Sequence, residues 1–293
     1  MDRIIFGDNQ FFGINHMSEE KAQAQAEQFK DINSIIRVVD FAYDCGICGF
    51  MFNTHDKVAD LCNHFRANPH RYADLRLYPS MPYAHKYAGF VAEKGIVGAL
   101  NNFLFADRSP AGVLSTIVRG GMTIITRNMM EVMKLLIDAE MRMFRDLNVR
   151  AVFLQNIVTD LLLGLGVKDV FIEFAAYIEE KYGVEPAFNT MNMPVLVDFL
   201  LDCHIENPIV CSPINKIGYL MNPSREAYEE TISTRPFRPM AMSILASGAI
   251  PPREAVEYVV SQENIRSIVF GESSKTHIQE TKAMICQYER VAI

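Results

Sequence analysis

Five polar side chains follow short apolar runs in this chain, and their functional groups suit acid–base or carbonyl chemistry. They are Asp8, Asn53, His55, Gln155 and Lys216. His55 is the strongest candidate for proton transfer because imidazole titrates nearest to neutral pH, and Asp8 could orient it or act as an acid or base itself. Lys216 could bind an anion or form an imine with a carbonyl substrate. The structural alternatives are a helix cap, a hydrogen-bonded histidine and a solvated loop lysine.

A second group lies near the end of the chain, in the stretch GESSKTH. An apolar run ends at Gly271, and Ser273, Ser274 and Lys275 then open a helical pattern. Free N–H groups at the start of a helix attract anions, and two hydroxyls with a lysine would complete a phosphate site. The alternative is an ordinary serine cap beside an exposed lysine.

Both groups follow β-rich apolar runs, of which the chain has eight, and these runs predict eight strands. The runs cover residues 3–6, 49–52, 75–78, 149–154, 186–188, 208–211, 239–242 and 265–270. Asn189 and Ser212 follow the fifth and sixth runs. The segments between runs show helical spacing, with start signals at Pro194, Ser224 and Pro251.

This alternation predicts an α/β fold, a (β/α)8 TIM barrel that forms a single domain over residues 1–293. A doubly wound sheet is the main alternative. In a barrel, chemistry occurs at the carboxyl ends of the strands, so we expect the polar side chains to converge there and bind a polar small molecule. Asn53 and His55 would face the cavity, and Thr54 or Asp56 would cap the next helix.

Residues 87–148 separate the third and fourth predicted strands, and one crossover helix needs far fewer. Helical patterns at 111–119 and 131–147 predict a third helix followed by a helical insertion. The segment also contains a Met-rich apolar patch made of Met122, Ile124, Ile125, Met129, Met130 and Met133. The alternatives are a surface hairpin and a lid or contact in a homo-oligomer.

The composition is typical of a globular protein, with 49% hydrophobic and 22% charged residues. Because 28 Lys and Arg oppose 35 Asp and Glu, the net charge of −7 argues against a nucleic-acid partner. No apolar run reaches the roughly 18–20 residues of a membrane span, and the first residues lack a secretion-signal pattern. No histidine spacing typical of a metal site occurs. We therefore expect a cytoplasmic protein that acts on a small molecule.

Four stretches resemble the aldo-keto reductase superfamily. IIFGDNQFFG is similar to its opening strand and turn, AYDCGICGFMFNTHD to the passage into its second strand, PFRPMAMSILASGAI to its seventh-strand segment, and IRSIVFGESSKTHIQET to its last strand and cofactor-phosphate helix. The similarity covers most of the chain except 87–148, as scattered motifs. It implies a TIM barrel that holds NADP or NAD across its rim.

The catalytic residues of the family are not retained in this chain. Members of the family use a tyrosine as proton donor, supported by an aspartate, a lysine and a histidine. Carried onto this chain, those four positions hold Val58, Asn53, the pair Pro79-Ser80, and Gln155. The family tetrad is therefore absent, and His55 is the nearest replacement for the lost proton donor.

The cofactor positions are better retained. Asn189 resembles the family's fifth-strand asparagine, which contacts the nicotinamide amide. Ser273, Ser274 and Lys275 resemble the contacts to the pyrophosphate and the 2′-phosphate.

Three functions follow as hypotheses. The first is a divergent NAD(P)-linked oxidoreductase that acts on a small polar carbonyl metabolite. The second is a lyase or aldolase-type barrel enzyme for a phosphorylated or carboxylated metabolite, with Lys216 as imine former or Asp8 and His55 as an acid/base pair. The third is a non-catalytic ligand-binding protein.

Overall fold

Eight parallel strands close into a barrel in chain order. The computed structural model describes residues 1–13, 19–83 and 129–291. The strands are β1 Ile4–Phe6, β2 Gly49–Asn53, β3 Arg76–Met81, β4 Ala151–Leu154, β5 Glu185–Asn189, β6 Ile209–Pro213, β7 Arg238–Met242 and β8 Ser267–Phe270. The ring closes between β1 and β8, where Ile5 lies opposite Val269. The predicted (β/α)8 barrel is confirmed, and the doubly wound sheet is excluded.

Helices surround the barrel and connect its strands. Within the described ranges they are α1 Glu19–Gln28, α2 Ile32–Asp44, α3 Asp56–Ala67, α4 at residues 129–141, α5 Asn156–Leu165, α6 Lys168–Tyr182, α7 Met193–Asp202, α8 Arg225–Thr234, α9 Pro252–Val260 and α10 Lys275–Val291. The predicted start signal at Ser224 is confirmed. Gly183 ends α6 in the left-handed region at φ 65°, and the Ser224 hydroxyl accepts the Ala227 N–H at the start of α8.

The period-two alternation of each strand separates two apolar cores. In β2, Phe50 and Phe52 pack outward against the helices, whereas Met51 packs inside the barrel with Tyr78 and Phe153. The interior is therefore filled by side chains, as is usual for barrels of eight strands. The next inward position of β2 after Met51 is Asn53, so a polar side chain lies directly above this filled interior.

The third strand continues three residues beyond its predicted end. The sequence predicts that this strand ends at Tyr78, and the next residue, Pro79, cannot donate to a strand ladder. Instead β3 continues to Met81, with Pro79 opposite Phe52 in β2 and Ser80 opposite Phe153 in β4. Ser80 is thus a strand residue instead of a loop residue.

The predicted insertion is described only in part. The helix expected at 111–119 lies outside the described residues, as do three of the six residues of the Met-rich patch. The other three, Met129, Met130 and Met133, are buried in the core and do not form an exposed patch. The helix expected at 131–147 corresponds to α4, which gives way to a short 3-10 turn at Arg142–Phe144. The homo-oligomer contact stays a prediction. No helix within the described ranges is both long and apolar enough to cross a membrane.

Candidate functional site

A cavity of about 450 Å³ opens at the carboxyl ends of the strands. Its volume is within the usual range for small-molecule sites, and every strand contributes to its wall through its last residues or the following loop. Five of the predicted site residues lie together in this wall: Asp8, Asn53, Gln155, Asn189 and Gly271. The structure thus brings the four polar residues and Gly271 to one cavity, and the roles predicted for them stay predictions.

Asp8 is the most strongly perturbed acid in the wall. Its side chain is 5% exposed and accepts three hydrogen bonds from Asn53: the backbone N–H reaches Oδ2 at 2.6 Å, and Nδ2 lies 3.2 Å from Oδ1 and 3.3 Å from Oδ2. Burial raises the pKa of Asp8 from 3.8 to about 7, although the hydrogen bonds from Asn53 act in the opposite direction. Asp8 can therefore exchange a proton near neutral pH.

The amides of the wall form two hydrogen-bonded groups. Gln155 donates from Nε2 to Asn53 Oδ1 at 3.3 Å, which links the ends of β4 and β2 to Asp8. Asn189 donates from Nδ2 to the Ser80 hydroxyl at 2.9 Å. The other end of the Asn189 amide, Oδ1, is buried and has no hydrogen-bond partner among the described residues. A buried acceptor left in this state is suited to a donor on a ligand.

Position 271 in the cavity wall favours glycine because the side chain of Gln10 lies very close to its backbone. A Cβ atom at this position would lie 2.1 Å from Oε1 of Gln10, whose side chain is buried and held by its 2.9 Å bond to the carbonyl of Gly7. Any larger residue here would displace Gln10. The loop after β8 thus passes directly over the loop after β1.

His55 lies beside the cavity and does not form its wall. Its Nδ1 accepts the N–H of Lys57 at 3.2 Å, so His55 is the N-cap of α3, a role that we expected of Thr54 or Asp56. Its ring stacks on Phe12 at 4.3 Å between centroids. The ring also lies 6.0 Å from that of Tyr83, which lines the cavity, so His55 stands next to the wall and is held there by the helix it caps.

Lys216 is also outside the wall. Its side chain is 49% exposed, and Nζ pairs with Glu254 at 2.7 Å. A lysine that forms imines needs a buried, desolvated amine close to the substrate. Lys216 therefore matches the alternative given for it above, a solvated loop lysine.

Ser212 is fully buried behind the site. Its hydroxyl donates to the carbonyl of Thr190 at 2.8 Å and shares a 3.0 Å hydrogen bond with the hydroxyl of Tyr228. Both contacts are internal to the protein, so in this structure Ser212 supports the loop after β5.

The turn at residues 271–275 caps a helix and also borders the cavity. Ser274 accepts the N–H of His277 at 3.2 Å, as a helix cap does, and the Lys275 amine is exposed 5.8 Å from the ring centre of Phe41. Gly271 and Glu272 extend from this turn into the cavity wall. Burial raises the pKa of Glu272, whose carboxylate lies 3.7 Å from His277. Phosphate binding by Ser273, Ser274 and Lys275 stays a prediction.

Two further titratable residues, Tyr83 and Glu140, lie at or behind the cavity wall. Tyr83 lines the cavity, and burial together with the negative charge of Asp8 raises its pKa. Glu140 is 3% exposed and accepts hydrogen bonds from the Thr54 hydroxyl and the Tyr83 N–H. Glu140 had no visible signal, because it is one of several acidic residues in an amphipathic helix pattern.

Solved structures show where this architecture occurs. The chain matches a protein assigned as an aldo-keto reductase from Pseudomonas aeruginosa with a TM-score of 0.58 and 14% identity, covering 98% of this chain and 90% of that one. A structure described as a 2,5-diketo-D-gluconic acid reductase B matches with a TM-score of 0.58 and 9% identity, over 98% and 86%. A thermostable aldo-keto reductase solved with the inhibitor epalrestat matches with a TM-score of 0.53 and 10% identity, over 97% and 89%.

No family model matches the sequence, and no curated protein matches it significantly. At 9–14% identity, the structural matches speak for the arrangement of strands and helices along nearly the whole chain. The chain therefore has the barrel fold found in solved aldo-keto reductases.

Proposed function

We propose that this protein is a divergent aldo-keto-reductase-like oxidoreductase that reduces a small polar carbonyl compound, with Asp8 as the proton donor. The observation that carries the proposal is a buried carboxyl with a pKa of about 7 in the wall of the cavity at the carboxyl ends of the strands. A general acid works best when its pKa is near the working pH. Asp8 meets this condition, and it replaces the family's tyrosine, whose position holds Val58.

The cavity has a feature that fits a nicotinamide ring. The free Oδ1 of Asn189 would accept a hydrogen bond from the carboxamide, in agreement with the role that the family resemblance gives this residue. Ser273 and Lys275 would contact the phosphates of NADP or NAD at the start of α10. When bound, the reduced cofactor supplies a hydride.

The residues of the chain would then manage the proton. Oδ2 of Asp8 accepts two hydrogen bonds from Asn53 and Oδ1 accepts one, so Oδ1 is the oxygen better able to carry the proton. Gln155 holds the Asn53 amide in this orientation through its 3.3 Å bond. The filled barrel interior below closes the site to water from that side.

The test begins with binding. NADPH or NADH should quench intrinsic tyrosine fluorescence or raise the melting temperature, and turnover of small aldehydes should follow nucleotide oxidation. Asp8→Asn keeps the size and one acceptor, so it should bind nucleotide like the wild type and lose turnover by about 10²–10⁴-fold. Lys216→Ala is the matched control outside the cavity and should leave both properties unchanged. Absence of any nucleotide effect at millimolar concentration would overturn the proposal.

One other function has a specific observation in its favour. The same raised pKa would let Asp8 remove a proton beside a carbonyl group without a nucleotide, as in a lyase. Solvent deuterium exchange into a bound ketone, lost in Asp8→Asn and independent of NADPH, would select this alternative. The imine version that uses Lys216 has no such support, because that amine is exposed and paired with Glu254.

A further inference from the structure

The tripeptide Phe-Asn-Thr occurs twice, at residues 52–54 and 188–190. Both copies end a strand, β2 in the first case and β5 in the second. In both copies the asparagine lines the cavity, the preceding phenylalanine is buried in the outer core, and the following threonine is completely buried. The alternation of a strand accounts for this pattern, because every second side chain points into the barrel.

The two threonines make the same contact with an outer helix. Thr54 donates its hydroxyl to Glu140 of α4, and Thr190 donates its hydroxyl to Asp160 of α5. Neither carboxylate belongs to the cavity wall. Two separate helices therefore supply an acid to the residue that follows a cavity asparagine.

Each carboxylate also holds the backbone of a rim loop. Glu140 accepts the N–H of Tyr83 at 3.1 Å, and Asp160 accepts the N–H of Met191 at 3.0 Å. Thr190 Oγ in turn accepts the N–H of Asn192 at 2.8 Å. A carboxylate removed from water carries a large desolvation cost, which hydrogen bonds of this kind must offset. Glu140 is buried and Asp160 is partly buried, so both carboxylates bear some of this cost at corresponding places, which points to a common role.

We infer that Glu140 and Asp160 are positioning residues that fix the cavity amides of Asn53 and Asn189, each acting through the threonine hydroxyl next to that asparagine. The hydrogen bond from the threonine hydroxyl to a helix carboxylate restrains the backbone at the end of the strand. The preceding asparagine is then held in one orientation, as a preorganised site requires. The inference on orientation stands on these contacts alone, and only its consequence for catalysis rests on the proposed function.

The two copies should have different consequences. Asn53 donates to Asp8, so loosening the Glu140–Thr54 pair should weaken those bonds and raise the pKa of Asp8 further. Asn189 donates to Ser80 and presents Oδ1 to the cavity, so loosening the Asp160–Thr190 pair should affect ligand binding and leave the pKa of Asp8 unchanged.

The experiment removes each hydroxyl and then restores it. Thr54→Val and Thr190→Val delete the hydroxyl at nearly constant volume, and Thr54→Ser and Thr190→Ser keep it. Thr231→Val is the matched control, because this buried threonine of α8 donates to the carbonyl of Ala227 away from the cavity. NMR of the full chain reports the pKa of Asp8 from its carboxyl carbon and the hydrogen exchange of the Asn53 and Asn189 side-chain amides.

We expect Thr54→Val to raise the pKa of Asp8 by about half a unit or more and to speed exchange of the Asn53 amide about 2–10-fold, the range of one lost hydrogen bond. Thr190→Val should speed exchange of the Asn189 amide by a similar factor and weaken NADPH binding. The serine variants should return to wild-type values, and Thr231→Val should change neither amide. If a valine variant does not fold, Glu140→Gln or Asp160→Asn is measured in its place.

Equal effects from Thr231→Val, or unchanged amide exchange in both rim variants, would overturn the inference. Failure of the wild type to bind NADPH or NADH would overturn the proposed function instead. The amide exchange and the pKa of Asp8 need no ligand, so they would still decide the role of Glu140 and Asp160.

Discussion

At the scale of single residues, the chemistry of this site depends on the environment of Asp8. An aspartate in water is ionised at neutral pH, whereas the pKa of Asp8 is raised to about 7 because burial disfavours its charged form. The hydrogen bonds from Asn53 reduce this effect and keep the carboxyl in one position. The result is a carboxyl group that is partly protonated at neutral pH and can therefore donate a proton.

The pH dependence of turnover follows from this protonation state. If protonated Asp8 is the donor, kcat/KM should be level below about pH 7 and fall about tenfold for each further pH unit. A pH series of initial rates with saturating nucleotide measures this limb. A rise of the rate through pH 7 would contradict the donor role and fit a base. A loss of turnover in Tyr83→Phe, with Asp8→Asn still active, would assign the proton to the tyrosine.

At the scale of secondary-structure elements, His55 shows how a helix decides the role of a side chain. Its backbone is extended at φ −66° and ψ 153°, its Nδ1 accepts the N–H of Lys57, and its ring stacks on Phe12. These contacts hold the imidazole at the start of α3. Asp8 stands before a short 3-10 helix, Asn9–Phe12, and Gln155 stands before α5. Neither uses its side chain as a cap, and both line the cavity.

A pair of substitutions separates capping from catalysis. His55→Asn provides another good cap without an imidazole, so stability and turnover should both stay close to wild type. His55→Ala removes the cap and should lower the free energy of unfolding by about 1 kcal/mol, while turnover of the folded protein persists. Urea denaturation and initial rates measure the two properties. A large loss of turnover in the folded His55→Asn variant would restore His55 as the proton-transfer group.

At the scale of the whole molecule, burying Asp8 should make stability depend on pH. The pKa of Asp8 is higher in the folded state than its ordinary value of 3.8, so the folded protein binds more protons between about pH 4 and pH 7. The stability linked to this group is fully present below pH 4. It is lost progressively as the pH rises from about 4 through 7. A difference of about three pH units corresponds to about 4 kcal/mol, an upper limit for this one site.

Asp8→Asn tests this linkage without any substrate. The amide carries no charge, so the variant should be more stable than the wild type at pH 8, by up to about 4 kcal/mol, and nearly equal to it at pH 4. Urea midpoints across this pH range give the difference. Asp198→Asn is the control, since Asp198 is 58% exposed in a surface pair with Arg235 and should shift stability by less than about 1 kcal/mol at any pH. A wild type that is more stable than Asp8→Asn at pH 8 would contradict the buried-acid interpretation.

The sequence by itself determined the number and order of the strands and the types of residue at their ends. Both are local properties: a strand alternates with period two, a helix repeats near 3.6, and glycine, proline and serine mark the boundaries. A parallel barrel then places all carboxyl ends on one face, so the meeting of Asp8, Asn53, Gln155, Asn189 and Gly271 followed from the order of elements. The end of β3 was placed too early, because a proline that lacks an N–H can still lie within a strand whose other residues pair.

Only the tertiary structure decided what each of these residues does. The pKa of Asp8 depends on how much water its neighbours exclude, and those neighbours come from strands far apart in the chain. The contact of Thr54 with Glu140 joins residues 86 positions apart, and that of Thr190 with Asp160 joins residues 30 apart. The orientation of His55 and the exposure of Lys216 likewise depend on neighbours that no local pattern contains. Desolvation and contact are properties of three-dimensional packing, and for this reason residue types could be predicted here before their roles.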